Sequence, residues 1–243
     1  MIPKFLITLA RKIIPEGKFK HSLSKKFEQE YAEYRKSIKS TDFSYSSKTD
    51  LEYAVKLLEK CISQGLDGDV IECGVYKGGS SFLLAKKLKE LNSDKKLYAL
   101  DTFEGHPYDD EKNMPKELLD EAYNGELPEK MVGTLNDVNL DEIKKCFAEE
   151  KLDNTVFMKG LFEDGFKLIL DKKFCFAHVD ADSYLSVKQC IEFLKDRIVT
   201  NGIILFDDYN HPAYKGCNKA VDSSLGSDSL TILKKRRAYW TKS

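Results

Sequence analysis

Five short apolar runs recur along the chain, each separated from the next by a longer stretch, and this alternation constrains the fold more than any other feature. The runs are residues 69–73 (DVIEC), 96–100 (KLYAL), 155–158 (TVFM), 174–179 (FCFAHV) and 202–206 (GIILF). Their length and β-branched, aromatic content suit strands. Helix-length segments lie between them, from about Ser80 to Leu91 and from about Ser183 to Arg197. A further helix, capped at Thr49-Asp50 and running to about Cys61, precedes the first run with Leu51, Ala54, Val55, Leu57 and Leu58 as its apolar face. Strands alternating with helices imply an α/β fold, a doubly wound and mainly parallel sheet. Residues 230–233 and 238–241 flank a basic turn and read as an antiparallel hairpin at the sheet edge.

A chain of 243 residues buries a sizeable core unaided, and 42% apolar with 33% charged residues excludes disorder and collagen-like repeats. Residues 49–243 are expected to form the catalytic-size domain, with 1–48 as a helical extension. Lys and Arg number 39 against 40 Asp and Glu, so no overall field recruits nucleic acid. The six cysteines are scattered without a CxxC pair, and only four histidines are present, which argues against a zinc module and for a reducing, cytoplasmic setting. No run approaches the ~20 apolar residues that span a bilayer. Ile2, Phe5, Leu6, Leu9, Ile13 and Ile14 fall on one face of a helix, within a segment carrying 11 basic and 5 acidic residues through position 48. Such a face calls for a partner, and a homo-oligomer using residues 1–20 is the expectation; a membrane-surface helix is the alternative. Residues 101–130, with 10 acidic and 3 basic side chains, follow the second run and form either a solvated loop or a lid over a ligand site.

Two constellations carry chemistry. In residues 70–81 (VIECGVYKGGSS) a strand runs into a glycine loop and then a helix, the layout that cradles a nucleotide-like ligand. The spacing is Gly74-x3-Gly78-Gly79 rather than the dinucleotide pattern, and Glu72 precedes the loop. A carboxylate there would repel a pyrophosphate but suit an amino-bearing ligand. Asp101, ending the second strand, is placed to grip a ribose diol. Together these favour S-adenosylmethionine over NAD.

The second constellation is Asp180, ending the fourth strand, with Asp207 and Asp208 ending the fifth. Neighbouring parallel strands lie ~4.8 Å apart, so the three carboxylates would converge where open α/β sheets bind ligands. Unpaired carboxylates repel one another, and a hard divalent cation would relieve that. Pairing with lysine, or helix capping by Asp207 and Asp208, would relieve it too. His178 and His211 flank the cluster and could orient a group or supply a base, although a lone histidine is more often structural.

The blocks 68–81, Asp101-Thr102-Phe103-Glu104-Gly105, Val179-Asp180-Ala181-Asp182-Ser183-Tyr184 and Phe206-Asp207-Asp208-Tyr209, in this order, resemble the macrocin O-methyltransferase family over roughly residues 49–225. That family comprises S-adenosylmethionine-dependent sugar O-methyltransferases with the class I methyltransferase fold. The resemblance implies that Asp180, Asp207 and Asp208 hold a metal, magnesium first; oxygen ligands also suit manganese, and a nearby histidine suits ferrous iron. It also implies that Glu72, Gly74, Gly78 and Ser80 hold the donor's methionine end, and that Asp101, Thr102 and Phe103 surround its ribose and adenine, with Asp164 near the adenine. Asp180 would take the acceptor's proton, with His178 or His211 in reserve. The acceptor would be a sugar on a nucleotide or on a natural product; a catechol, which also chelates through adjacent hydroxyls, is the alternative.

Overall fold

The computed structural model describes residues 12–13, 28–29, 31–32, 47–233 and 236–243. An eight-stranded sheet comprises β1 (Lys12–Ile13), β2 (Asp69–Cys73), β3 (Leu97–Asp101), β4 (Thr155–Lys159), β5 (Phe174–Val179), β6 (Ile198–Phe206), β7 (Leu230–Leu233) and β8 (Arg237–Thr241). The strands lie in the order β1-β7-β8-β6-β5-β2-β3-β4. All pairings are parallel except those of β8, which runs antiparallel to both β6 and β7. The doubly wound sheet with an antiparallel hairpin is therefore as the apolar runs imply.

The central strands bury both faces. All six residues of β5 are buried, as are Val70 to Cys73 of β2. Alternate side chains feed two cores. On one face Val70, Ala99, Phe176 and Leu205 meet α1 (Lys48–Ser63), α2 (Gly79–Glu90) and α5 (Leu140–Glu149). On the other, Ile71, Leu100, Ala177 and Phe206 meet α7 (Tyr184–Leu194) and α8 (Lys215–Leu225). Between α2 and α5 lie α3 (Asp110–Asn113) and α4 (Lys116–Tyr123), and α6 (Phe162–Lys167) follows β4. All six cysteines are free and buried, small apolar fillers of these layers.

The N-cap of helix α1 lies two residues before the expected Thr49-Asp50 cap. Ser47 is the N-cap, and the Asp50 carboxylate accepts from its backbone N–H at 3.2 Å, a capping box. Lys12 and Ile13, expected within a helix, are extended and pair with Thr231 and Ile232 of β7. Without this pairing the edge of β7 would leave its N–H and C=O groups unsatisfied. The rest of the apolar face, Ile2, Phe5, Leu6, Leu9 and Ile14, lies outside the described residues. Of the remaining extension, Glu28, Gln29, Tyr31 and Ala32 are helical. No helix among the described residues is long and apolar enough to cross a membrane.

Candidate active site

The strand order reverses between β2 and β5, and their carboxyl ends open onto a cavity of about 590 Å3. This is the crevice in which doubly wound sheets bind ligands. Gly74 holds the two strand ends together: the Asp180 N–H donates to the Cys73 carbonyl at 2.8 Å, and a Cβ on Gly74 would lie 1.7 Å from the Asp180 carbonyl oxygen. With φ at +91° the position needs glycine on conformational grounds as well.

Asp101 organises the loop from beneath. Its Oδ2 accepts from the backbone N–H groups of Val75 (2.7 Å) and Tyr76 (2.9 Å), and its Oδ1 accepts from that of Phe103 (2.7 Å). The carboxylate expected to grip a ribose diol is thus spent mostly on main chain. Of the other residues expected around the donor, Gly74, Ser80 and Thr102 line the cavity with Asp101. Gly78 lies behind them as the left-handed cap of α2. Phe103 turns into the core against Phe157, and Asp164 is exposed on α6, paired with Lys167 at 2.8 Å.

Glu72 is fully buried rather than open to the cavity. Its Oε2 accepts from the Ser81 hydroxyl, and its Oε1 lies 2.7 Å from Nδ1 of His178, its register partner on β5. The other ring nitrogen of His178 lies 3.4 Å from Asp207 Oδ1. Burial alone would lower the imidazole's pKa, but hydrogen bonds to Asp207 and Glu72 outweigh it and hold the pKa well above the ordinary value. His178 is therefore biased toward its protonated form between two carboxylates. Its position suits a brace between the strands better than a base for a ligand.

Asp207 has a second partner, which the sequence reading missed. Arg237 of β8 grips it with both arms, Nε to Oδ1 at 2.6 Å and Nη2 to Oδ2, while Nη1 reaches Asp50 of α1 at 2.7 Å. Burial pushes the Asp207 pKa up, but the charge of Arg237 and the bonds from His178 and Arg237 hold it well below the carboxylate range. Two sets of side chains have ligand atoms within 4.8 Å of one another: His178 with Asp180 and Asp207, and Asp180 with Asp182 and Asp208. Burial and mutual repulsion raise all three of the second set: Asp180 and Asp208 well above the ordinary value, Asp182 to about 8. Asp208 Oδ2 is buried without a hydrogen-bond partner among the described residues. An oxygen-only donor set with an orphaned acceptor fits a hard divalent cation. The structure keeps Asp207 in reach of Asp180 and His178 while pairing it with Arg237, and adds a second set in which Asp182 joins Asp180 and Asp208.

Residues 105–135 wall the cavity on its far side through His106, Tyr108, Met131 and Thr134. Asp109 Oδ1 accepts from the N–H groups of Met131 and Val132 at 2.7 and 2.8 Å, pinning the two ends of the segment together. Buried Asp110 accepts from the Tyr184 N–H and the Tyr123 hydroxyl, at 2.7 and 2.8 Å, tying the segment to α7. His106 Nε2 lies 3.3 Å from Asp182 Oδ2. From the loop after β6, His211 also lines the cavity, stacked on Tyr214 at 4.6 Å.

This fold, with a glycine turn at the switch point and acids at the ends of β5 and β6, defines a class I O-methyltransferase. The solved O-methyltransferase NovP superposes with a TM-score of 0.66 at 21% identity over 79% of each chain. A calicheamicin methyltransferase gives the same score at 18% identity, covering 93% of this chain and 95% of that one. The family model described as macrocin O-methyltransferase matches residues 12–231, and the chain belongs to that family. Curated relatives include mycinamicin III 3''-O-methyltransferase of Micromonospora griseorubida, 27% identical over 76% of this chain and 73% of its own. The 8-demethyl-8-(2,3-dimethoxy-alpha-L-rhamnosyl)-tetracenomycin-C 4'-O-methyltransferase of Streptomyces olivaceus is 26% identical over 79% and 71%. The chain is accordingly an S-adenosylmethionine-dependent O-methyltransferase.

Proposed function

We propose that the enzyme methylates a sugar hydroxyl with the help of a divalent cation held by Asp180, Asp182 and Asp208. The carrying observation is that cluster of three pKa-raised carboxylates on the wall of the cavity, one oxygen of it buried and unpartnered. The activities of the relatives, on a mycinamicin and on a rhamnosyl tetracenomycin, support a sugar acceptor. When bound, a divalent cation would offset the repulsion among the carboxylates and lower the pKa of a coordinated hydroxyl.

The chain's own residues supply the rest. The turn at Gly74, Ser80 and the loop braced by Asp101 seat the donor on one side of the cavity. His106, Tyr108 and Met131 close the other side and exclude water. Asp180, on the cavity wall, takes the proton as the acceptor oxygen bonds to the methyl carbon and the carbon–sulfur bond breaks, releasing S-adenosylhomocysteine. Orientation alone can offset ~7–11 kcal/mol of barrier, so the rigid walls contribute as much as the base. Six reduced, buried cysteines fit a cytoplasmic enzyme, and a homo-oligomer built in part through residues 1–20 belongs to the same proposal.

Donor turnover assayed with sugars bearing vicinal hydroxyls, with and without exhaustive chelation, tests this reading. Methylation of a sugar is expected, lost on chelation while S-adenosylhomocysteine still binds. Full activity after chelation would overturn the cation; methylation of a catechol and of no sugar would overturn the acceptor.

A further inference from the structure

The segment that walls the cavity runs on past Met131, and its far end is tied to the glycine turn by a single carboxylate. Thr134 and Leu135 line the cavity along with Gly74 and Tyr76. Two residues beyond Leu135, Asp137 Oδ1 accepts from the Tyr76 hydroxyl at 3.0 Å and Oδ2 accepts from Lys77 Nζ at 2.5 Å. Tyr76 and Lys77 follow each other in the turn between β2 and α2, and Lys77 Nζ also lies 4.9 Å from the centroid of the Tyr76 ring. Tyr76 has a φ of +50°, in the left-handed region that bulky side chains rarely occupy. Asp101 holds its backbone N–H and Asp137 its hydroxyl, so the strained turn is fixed from two directions. The segment's other ties differ in kind. The Gly133 N–H donates to the His106 carbonyl and the His106 N–H to the Thr134 carbonyl, both at 3.0 Å, while buried Asp109 pins Met131 and Val132. At Asp137 the tie is made by side chains alone, and that of Asp137 is 64% exposed against 15% for Lys77. Water and salt reach this tie first.

We propose that Asp137, Tyr76 and Lys77 form a latch that governs the exchange of S-adenosylmethionine and S-adenosylhomocysteine, with residues 133–137 as the strap it holds shut. This rests on the donor seat proposed above, at Gly74, Ser80 and the loop braced by Asp101, and adds how the donor enters and leaves it. Gly133, with φ at +79° and open space where a Cβ would stand, gives the strap a hinge at one end. Asn139, the N-cap of α5, accepts from the N–H groups of Asp141 and Glu142 and anchors the other end. Between these points the chain swings clear only when Asp137 lets go of the turn. That release frees the Tyr76 ring and the strap together, and the cavity opens where both line it. Because the latch is made between protein groups, loosening it changes the rate of passage in both directions and leaves the equilibrium nearly alone.

Surface plasmon resonance on the immobilised full chain reads association and release of S-adenosylhomocysteine separately. Asp137→Asn keeps the shape and removes the charge, and both rate constants are expected to rise about 5-fold, the upper range for a part-exposed ion pair, with Kd moving less than about 2-fold. Tyr76→Phe keeps the ring on the cavity wall and should raise both rates by a smaller factor. The double variant should match Asp137→Asn alone, since both substitutions break one latch. In the parent, both rates should climb between about 0.05 and about 0.5 M NaCl, and Asp137→Asn should flatten that dependence, a response that a purely structural carboxylate does not give. Unchanged rates in both variants would overturn the latch. Faster release with unaltered association would overturn it too, because the carboxylate would then hold the donor rather than gate it. The seat itself is judged by Gly74→Ala and Ser80→Val, each expected to weaken S-adenosylhomocysteine binding. If neither does, seat and latch fall together; if either does while the latch variants keep the parent's rates, only the latch falls.

Discussion

Arg237 shows how much one side chain decides here. Its guanidinium joins β8 to buried Asp207 at the end of β6 and to half-buried Asp50 on α1. Removing one partner of a buried ion pair leaves the other charge stranded, at a cost of roughly 3–5 kcal/mol, whereas removing both is far cheaper. Arg237→Met should therefore lower unfolding stability in urea by about that amount, and adding Asp207→Asn should recover most of it. Equal losses in the single and double variants would show that the arginine acts by packing alone. Nothing in the sequence flagged this residue, because it belongs to a basic turn remote from the acids it serves. Asp182 was visible in the Asp180-Ala181-Asp182 motif, yet its role was not: spacing cannot say which of several nearby acids finds a cation to pair with.

Among the elements, the junction of β2 with β5 is the most constrained. Gly74→Ala would set a methyl group against the Asp180 carbonyl and force an unfavourable left-handed backbone. A cost of at least ~2 kcal/mol is expected, since strain of this kind alone is worth 1–3 kcal/mol. S-adenosylhomocysteine affinity should fall with it, because the Asp180 backbone and the donor loop move together. Unfolding curves and calorimetric titration of the same variant check both halves. This junction was legible beforehand, since a glycine between a buried strand and a helix, repeated acids after apolar runs, and the run lengths themselves are local signals. Less local features were not. Glu72 read as a ligand for the donor because it precedes the loop, but strand alternation turns it toward Ser81 and His178. Phe103 and Asp164 sat near the right turns, and their facing depended on core packing and helix rotation. Lys12 and Ile13 lie on an amphipathic face, but the open edge of β7, a partner far along the chain, makes them a strand.

For the molecule as a whole, the uncompensated carboxylates set the pH dependence. Asp180, Asp182 and Asp208 all have pKa values raised above the ordinary carboxylate value, Asp182 to about 8. Between the carboxylate range and about pH 8 the folded chain therefore binds more protons than the unfolded one, and stability must fall as pH rises through that window. Asp207 is shifted the other way and contributes stability that is lost only as the pH drops below the usual carboxylate range. Scanning calorimetry without divalent ions should give a Tm several degrees lower near pH ~8.5 than near pH ~6, and magnesium should raise it most at the higher pH. A flat profile would mean that the cluster is relaxed without a cation. A different consequence follows from the lane that β8 occupies. It lies between β6 and β7 although it follows both in sequence. While a ribosome is still making the residues beyond β7, those two strands have bare facing edges, and Asp207 lacks its arginine partner. The nascent enzyme is then open to mispairing with a neighbouring chain. Insertion of β8 closes that gap and brings Arg237 against Asp207 in the same event.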